Sequence, residues 1–310
     1  MKQFSDILPE LQPLVAAGRP WTPEDPFVSP QVEPDSRVRR TECEIPCPAG
    51  PRRAKIYRPA AKPQDILPVM LWCHGGGYVA GNLEDDDPLC EVFALEADCC
   101  VVTVDYRLAP EFPYPAGLED CYAALVWIVQ QAETLRVDPT HLAVIGGSAG
   151  GGMAAALALL ARERGGPALC FQMPLYPMLD DRNCTPSSHE ITAQNFPNLW
   201  NRQNNLYAWN CYLKDLHATY ADIPATAAPT RAADLHGLPP AYFCVGTLDM
   251  FRDEILDYVT RLAQADVPVE LHLYPGCYHA FESIFTPTAV GNRCRAEYVA
   301  AMRRALHDEP

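Results

Sequence analysis

Basic side chains are scarce in this chain: 24 lysines and arginines face 39 aspartates and glutamates over 310 residues, a formal net charge of −15. That deficit excludes a nucleic-acid partner, because neutralising phosphates takes clustered cations. It also offers no attraction to an anionic membrane surface. Long apolar runs are missing as well. The longest apolar helical stretch, around Met153–Ala161, falls far short of the roughly 20 residues a membrane span needs. The opening MKQFSDILPELQPLV has no apolar core of the kind a secretory leader carries. Internal repeats and low-complexity tracts are absent too, which excludes solenoid and propeller architectures.

Cysteine is not scarce, but its pattern is empty of chemistry. There are thirteen, an odd number, and Cys43 and Cys47 have no second Cys or His pair near them in sequence. Neither a disulfide framework nor a zinc site follows, and no metal or other cofactor is expected. Cys73, Cys170 and Cys244 sit in apolar stretches, where a free thiol behaves as a small hydrophobe. The expected setting is soluble, reducing and cytoplasmic, with a homodimer left open.

What is present is an ordinary globular composition, 48% hydrophobic and 20% charged, enough to bury one full-sized core. After a Pro-rich opening with one short helix near Phe4–Ala17, strands and helices alternate. Arg53–Arg58, Val69–Cys73, Cys99–Val104, His141–Ile145, Ala168–Leu175, Ala241–Val245 and Val267–Tyr274 read as strands. Ala116–Gln131, Ala149–Arg164, Met250–Gln264 and Arg293–Leu306 read as helices. This alternation predicts an α/β fold with a mostly parallel central sheet flanked by helices. Asp180–Asp215 interrupts it with mixed polar and aromatic residues, Phe196, Trp200, Tyr207, Trp209 and Tyr212 among them, and reads as an inserted helical cap.

Two glycine-rich turns carry the chemistry. Gly146-Gly147-Ser148-Ala149-Gly150 fits G-x-S-x-G between an apolar strand and an alanine-rich helix. A strand-to-helix turn that sharp exposes a serine hydroxyl, so Ser148 is the candidate nucleophile. His74-Gly75-Gly76-Gly77 follows the strand VMLWC. Glycines there let backbone amides approach a developing oxyanion, together with the amide of Ala149. A nucleophilic serine also needs a base and a carboxylate to orient that base. His279 lies past the last strand, in a loop with glycine and proline turn signals. Asp249 follows the strand AYFCV and is favoured over Asp253 and Asp257, one and two helical turns further on.

These residues resemble the hormone-sensitive lipase-like family of α/β-hydrolases, in its bacterial carboxylesterase branch. The resemblance rests on HGGGYVAGN at 74–82, DYRLAPEFPYPAGLED at 105–120, GGSAGGG at 146–152, GTLDMFRDE at 246–254 and YPGCYHAF at 274–281. It implies catalytic Ser148, Asp249 and His279, oxyanion donors at Gly76, Gly77 and Ala149, and loop support from His74 and Gly75. It implies a structural role for the DYRLAPE block. It further implies a small-molecule ester substrate of short or medium acyl length, with no metal. The cap implied has an N-terminal part and an inserted part. The expected division is 1–45 as lead-in and first part of the cap, 46–179 as core, 180–216 as inserted cap and 217–310 as core. Two rival readings share the fold: a non-catalytic small-molecule receptor, and an amidase or deacetylase using the same triad. One departure stands out, since many relatives carry aspartate where this chain has Gly147.

Overall fold

The computed structural model describes residues 2–24, 29–30, 32–219 and 222–308. The expected 1–45 and 217–310 segments therefore include residues 1, 25–28, 31, 220–221 and 309–310, which lie outside the described residues.

Eight strands form one sheet: β1 Val38–Ile45, β2 Arg52–Pro59, β3 Leu67–Cys73, β4 Cys100–Val104, β5 Val137–Gly147, β6 Phe171–Leu175, β7 Ala241–Leu248 and β8 Val269–Tyr278. Their spatial order is β1-β2-β4-β3-β5-β6-β7-β8. β2 pairs antiparallel with both β1 and β4, and every pairing from β4 to β8 is parallel. Every residue of β3, β4 and β6 is buried, so both faces of the sheet's middle are covered.

Ten α-helices accompany the sheet among the described residues. They are α1 Gln12–Ala17, α2 Asp87–Glu96, α3 Ala116–Gln130, α4 Ala132–Leu135, α5 Ala149–Arg164, α6 Pro186–Glu190, α7 Arg202–Tyr212, α8 Lys214–Thr219, α9 Arg252–Gln264 and α10 Ala289–Leu306. α3 packs against α5, and α10 against α2, where Phe93 and Tyr298 stack at 5.6 Å. α5 is buried without interruption from Ala149 to Ala161. Its alanines and glycines keep it thin enough to lie against β5 and β6.

The expected α/β architecture is present, with differences at its edges. β1 carries VRRTECEI, whose buried positions alternate poorly because an edge strand keeps charges outward. It was not foreseen, and it lies in the sheet although it falls inside the 1–45 stretch. α2 was also missed: its acidic start reads as loop, yet Pro88 in its first turn is a helix-start signal. The single N-terminal helix expected over 4–17 divides into a tight turn at Phe4–Asp6 and α1. β8 runs four residues past its expected end, which brings His279 to the residue directly after it.

α6, α7 and α8 occupy the stretch that interrupts the alternation. Thr185 caps α6 by accepting from the Ser188 amide, and Asn201 caps α7 by accepting from Gln203 and Asn204. The N-terminal segment lies against this stretch. Asn195, Asn198 and Asn204 donate side-chain hydrogen bonds to the carbonyls of Lys2, Val15 and Trp21, at 3.2, 3.1 and 3.3 Å. Trp21 meets Trp200 edge to face at 5.2 Å. No described helix is long and apolar enough to cross a membrane.

Candidate active site

Each candidate side chain stands at the carboxyl end of a parallel strand. β5 ends at Gly147 and α5 begins at Ala149, so Ser148 turns the corner alone, with φ 59° and ψ −120°. A non-glycine residue at positive φ is strained, and the surroundings must hold it there. They do so by close crossing of chains. A Cβ at Gly150 would overlap the carbonyl of Cys73 at the end of β3, and one at Gly146 would lie 2.5 Å from the same oxygen. The glycines two positions either side of Ser148 are therefore dictated by backbone approach.

His279 follows β8 and Asp249 follows β7. The imidazole of His279 lies between the other two: Nε2 is 2.9 Å from Ser148 Oγ, and Nδ1 is 2.8 Å from Asp249 Oδ2. A carboxylate only accepts, so Nδ1 carries the proton and Nε2 is left to accept from the serine hydroxyl. Asp249 is 1% exposed, and its other oxygen accepts the Phe251 amide at 2.9 Å. The His279 ring is held edge to face by Tyr176 and Phe251, each with centroids at 5.1 Å. Gly147 makes room for this: a Cβ there would come 2.9 Å from the Tyr176 hydroxyl.

The alternative carboxylates, Asp253 and Asp257, lie elsewhere, and four further histidines have partners of their own. Asp253 accepts from the Ser187 amide at 2.7 Å and from Arg252, and Asp257 is exposed. His272 pairs with Glu270, His141 with Asp138 and Asp308, His236 with Asp234, and His307 donates to the Ala97 carbonyl.

The glycine loop after β3 sits opposite. Gly75, Gly76 and Gly77 line the same cleft as Ser148 and His279. Gly77 has φ +63°, and a Cβ on it would strike the Trp200 ring at 2.5 Å. Among the described residues, the amides of Gly76, Gly77 and Ala149 donate no hydrogen bond. His74 stacks on Tyr106 at 4.1 Å and its Nδ1 donates to the Gly75 carbonyl at 2.8 Å. Burial lowers its pKa, which keeps the ring neutral. The Tyr106 hydroxyl donates to the His74 carbonyl at 2.8 Å, and the next residue, Arg107, is clamped by both oxygens of Asp120, each at 2.8 Å. Block 105–120 thus braces the loop from beneath.

The cleft measures about 390 Å³, and Trp21, Trp72, Tyr176 and Trp200 contribute to its walls. Asp85 and Asp86 line it too. Burial pushes Asp86 up to about 6, with the charges of Asp85, Asp87 and Glu282 acting in the same direction against a hydrogen bond from Trp72. Sequence reasoning missed Trp21, Tyr176 and Asp86 as site residues. Asp86 was hidden in an acidic triplet that reads as a solvated helix start, and Trp21 in a segment with no periodicity. No group of three or more metal-ligating side chains is found among the described residues.

Comparison with known proteins gives the family. Residues 70–283 match a family described as having the alpha/beta hydrolase fold. Esterase LipI of Mycobacterium tuberculosis is 38% identical over 278 residues, covering 89% of this chain and 84% of that one. The ethyl acetate hydrolase of Pseudomonas putida is 34% identical, covering 73% and 70%. Among solved structures, a bacterial heroin esterase superposes with a TM-score of 0.90 at 36% identity, over 98% of this chain and 99% of the other. The chain belongs to the hormone-sensitive lipase-like esterases of the α/β-hydrolase fold and is a carboxylic ester hydrolase.

Proposed function

We propose that Ser148, His279 and Asp249 form the catalytic triad of a carboxylesterase for short- to medium-chain acyl esters. The amides of Gly76, Gly77 and Ala149 hold the oxyanion, and His74 and Gly75 support that loop. The observation that carries this reading is the continuous hydrogen-bond relay from Asp249 through His279 to the serine hydroxyl, at 2.8 and 2.9 Å. His279 Nε2 takes the Ser148 proton as Oγ attacks the ester carbonyl, and the tetrahedral oxyanion collects the three idle amides. The alcohol leaves with the proton from Nε2. Water then attacks the acyl-enzyme by the same route, releasing the acid. Asp249 stabilises the imidazolium formed in each half-reaction.

Segments 2–24 and 180–219 form a two-part cap over this centre. Support comes from the three asparagine side chains that tie one segment to the other, and from Trp21 and Trp200 meeting on the cleft. A cleft of this size with aromatic walls suits a short or medium acyl group. A cytoplasmic setting fits the unpaired cysteines.

The test is a p-nitrophenyl ester series from acetate upward, run with and without an alkyl phosphonate. Activity peaking at short or medium chains, with one phosphonate adduct on Ser148 located by mass spectrometry, supports the proposal. Activity that persists after Ser148 is modified, or that peaks on long-chain emulsions, overturns it.

A further inference from the structure

Among its described lining residues the cleft beside Ser148 has two carboxylates, Asp85 and Asp86, and no lysine or arginine. The two acids differ in what they do. Asp85 gives both oxygens to backbone amides, accepting from Ser29 at 3.2 Å and from Asn82 at 3.1 Å. Asp86 accepts the Trp72 indole N–H through Oδ2 at 2.8 Å, and its Oδ1 has no hydrogen-bond partner among the described residues. The neighbouring cations are already engaged. Arg40 and Lys55 bind Asp87 at 2.7 and 3.1 Å, and Arg40 also holds Glu91 at 2.7 Å.

A second, independent observation concerns His74. It is 4% exposed and lines the same cleft, and with Nδ1 donating to Gly75 its buried Nε2 is an acceptor without a hydrogen-bond partner among the described residues. Buried acceptors left empty are costly, and they call for a donor. The remaining walls include Trp21, Trp72 and Trp200, whose π faces attract cations. A carboxylate oxygen and an imidazole nitrogen without hydrogen-bond partners among the described residues, beside indole walls, together suit a group that is positively charged, donates hydrogen bonds and is partly apolar.

We propose that this esterase selects esters bearing a protonated amine, with Asp86 as the specificity-determining acceptor. The proposal rests on the reading that this cleft is where Ser148 attacks the ester. The chain's overall negative charge draws such a substrate in, and the same field repels monoesters of dicarboxylic acids, which keep a free carboxylate.

Two isosteric substrate pairs test it near neutral pH. On the alcohol side, 2-(dimethylamino)ethyl acetate is compared with 3-methylbutyl acetate. On the acyl side, ethyl 4-(dimethylamino)butanoate is compared with ethyl 5-methylhexanoate. Each pair shares one heavy-atom skeleton, with nitrogen exchanged for carbon. In at least one pair the amine ester should have the higher kcat/KM by about tenfold or more, the scale of one charge-assisted hydrogen bond. Asp86→Asn should bring that ratio to within about threefold of unity, and Asp86→Glu should retain part of it. Ratios near one for both pairs in the wild-type enzyme overturn the proposal while leaving the esterase reading intact. A high ratio that survives Asp86→Asn also overturns it. Failure to hydrolyse either pair or p-nitrophenyl acetate is a different result, and it removes the esterase reading beneath.

Discussion

The rim of the sheet and the segments proposed to cap it are built on different rules. At the rim, Ser148, Asp249, His279 and the glycine loop each sit directly after a strand, so ladder hydrogen bonds fix their positions. Segments 2–24 and 180–219, proposed as the cap, contain no strand of the sheet among the described residues. They are joined by side chains reaching backbone carbonyls across more than 180 residues of sequence, and by aromatic contact. Glu254 anchors one of them: it is buried at the start of α9 and accepts the amides of Leu179 and Asp180 at 2.7 and 3.1 Å, where the insert leaves the core. The difference separates the roles. On the proposed reading, damage to the rim removes chemistry, whereas damage to the cap changes what is admitted.

The sharpest way to break this division is at the rim. Ser148→Ala should lower kcat by about 10⁴-fold or more, and Asp249→Asn, which releases the His279 tautomer, by roughly 10³–10⁴-fold. Both variants should unfold close to the wild-type temperature, because neither substitution alters the backbone or empties a large core volume. Near-normal turnover in either would dissolve the comparison.

Next in size is the cover. Trp21→Ala should raise KM by about tenfold while moving kcat by less than about threefold, since it removes binding area and no reacting group. A collapse of kcat with unchanged KM would mean that the cover takes part in the chemistry.

The smallest effect concerns stability. In the fold Asp86 sits at about 6 against an ordinary 3.8, so the folded state binds its proton more tightly than the unfolded chain. Its cost is absent below about pH 4, grows as pH rises towards 6 and is complete above that. Asp86→Asn should therefore gain about 1–3 kcal/mol at neutral pH and little at pH 4, read from denaturant midpoints. A gain independent of pH would show that the carboxylate is well solvated.

Much of the rim was legible in the sequence because its constraints are local. G-x-S-x-G between an apolar strand and a small-residue helix admits few backbones, and HGGG after another apolar strand is nearly as restrictive. The central strands could be read for the same reason, as short apolar runs ended by turn residues. β1 could not, because its exposed arginines and glutamates mask the strand pattern. Tyr176 and Trp21 escaped because their roles exist only across sequence-distant contacts, to His279 and to Trp200. Asp86 escaped because its neighbours share its chemistry but not its surroundings. In one run of three aspartates, Asp85 ties loop amides, Asp86 faces the cleft and Asp87 binds Arg40 and Lys55.

The thirteen thiols have a practical use. All are free, and Cys184 alone is exposed, while burial raises Cys43, Cys47 and Cys170 above the ordinary thiol value. Cys184 lies beside Asn183, whose carbonyl accepts from Arg202 and whose side chain bonds Asn205, at the root of α7. A maleimide fluorophore added to the unaltered enzyme should attach there first, and so report how the inserted segment shifts when a substrate enters.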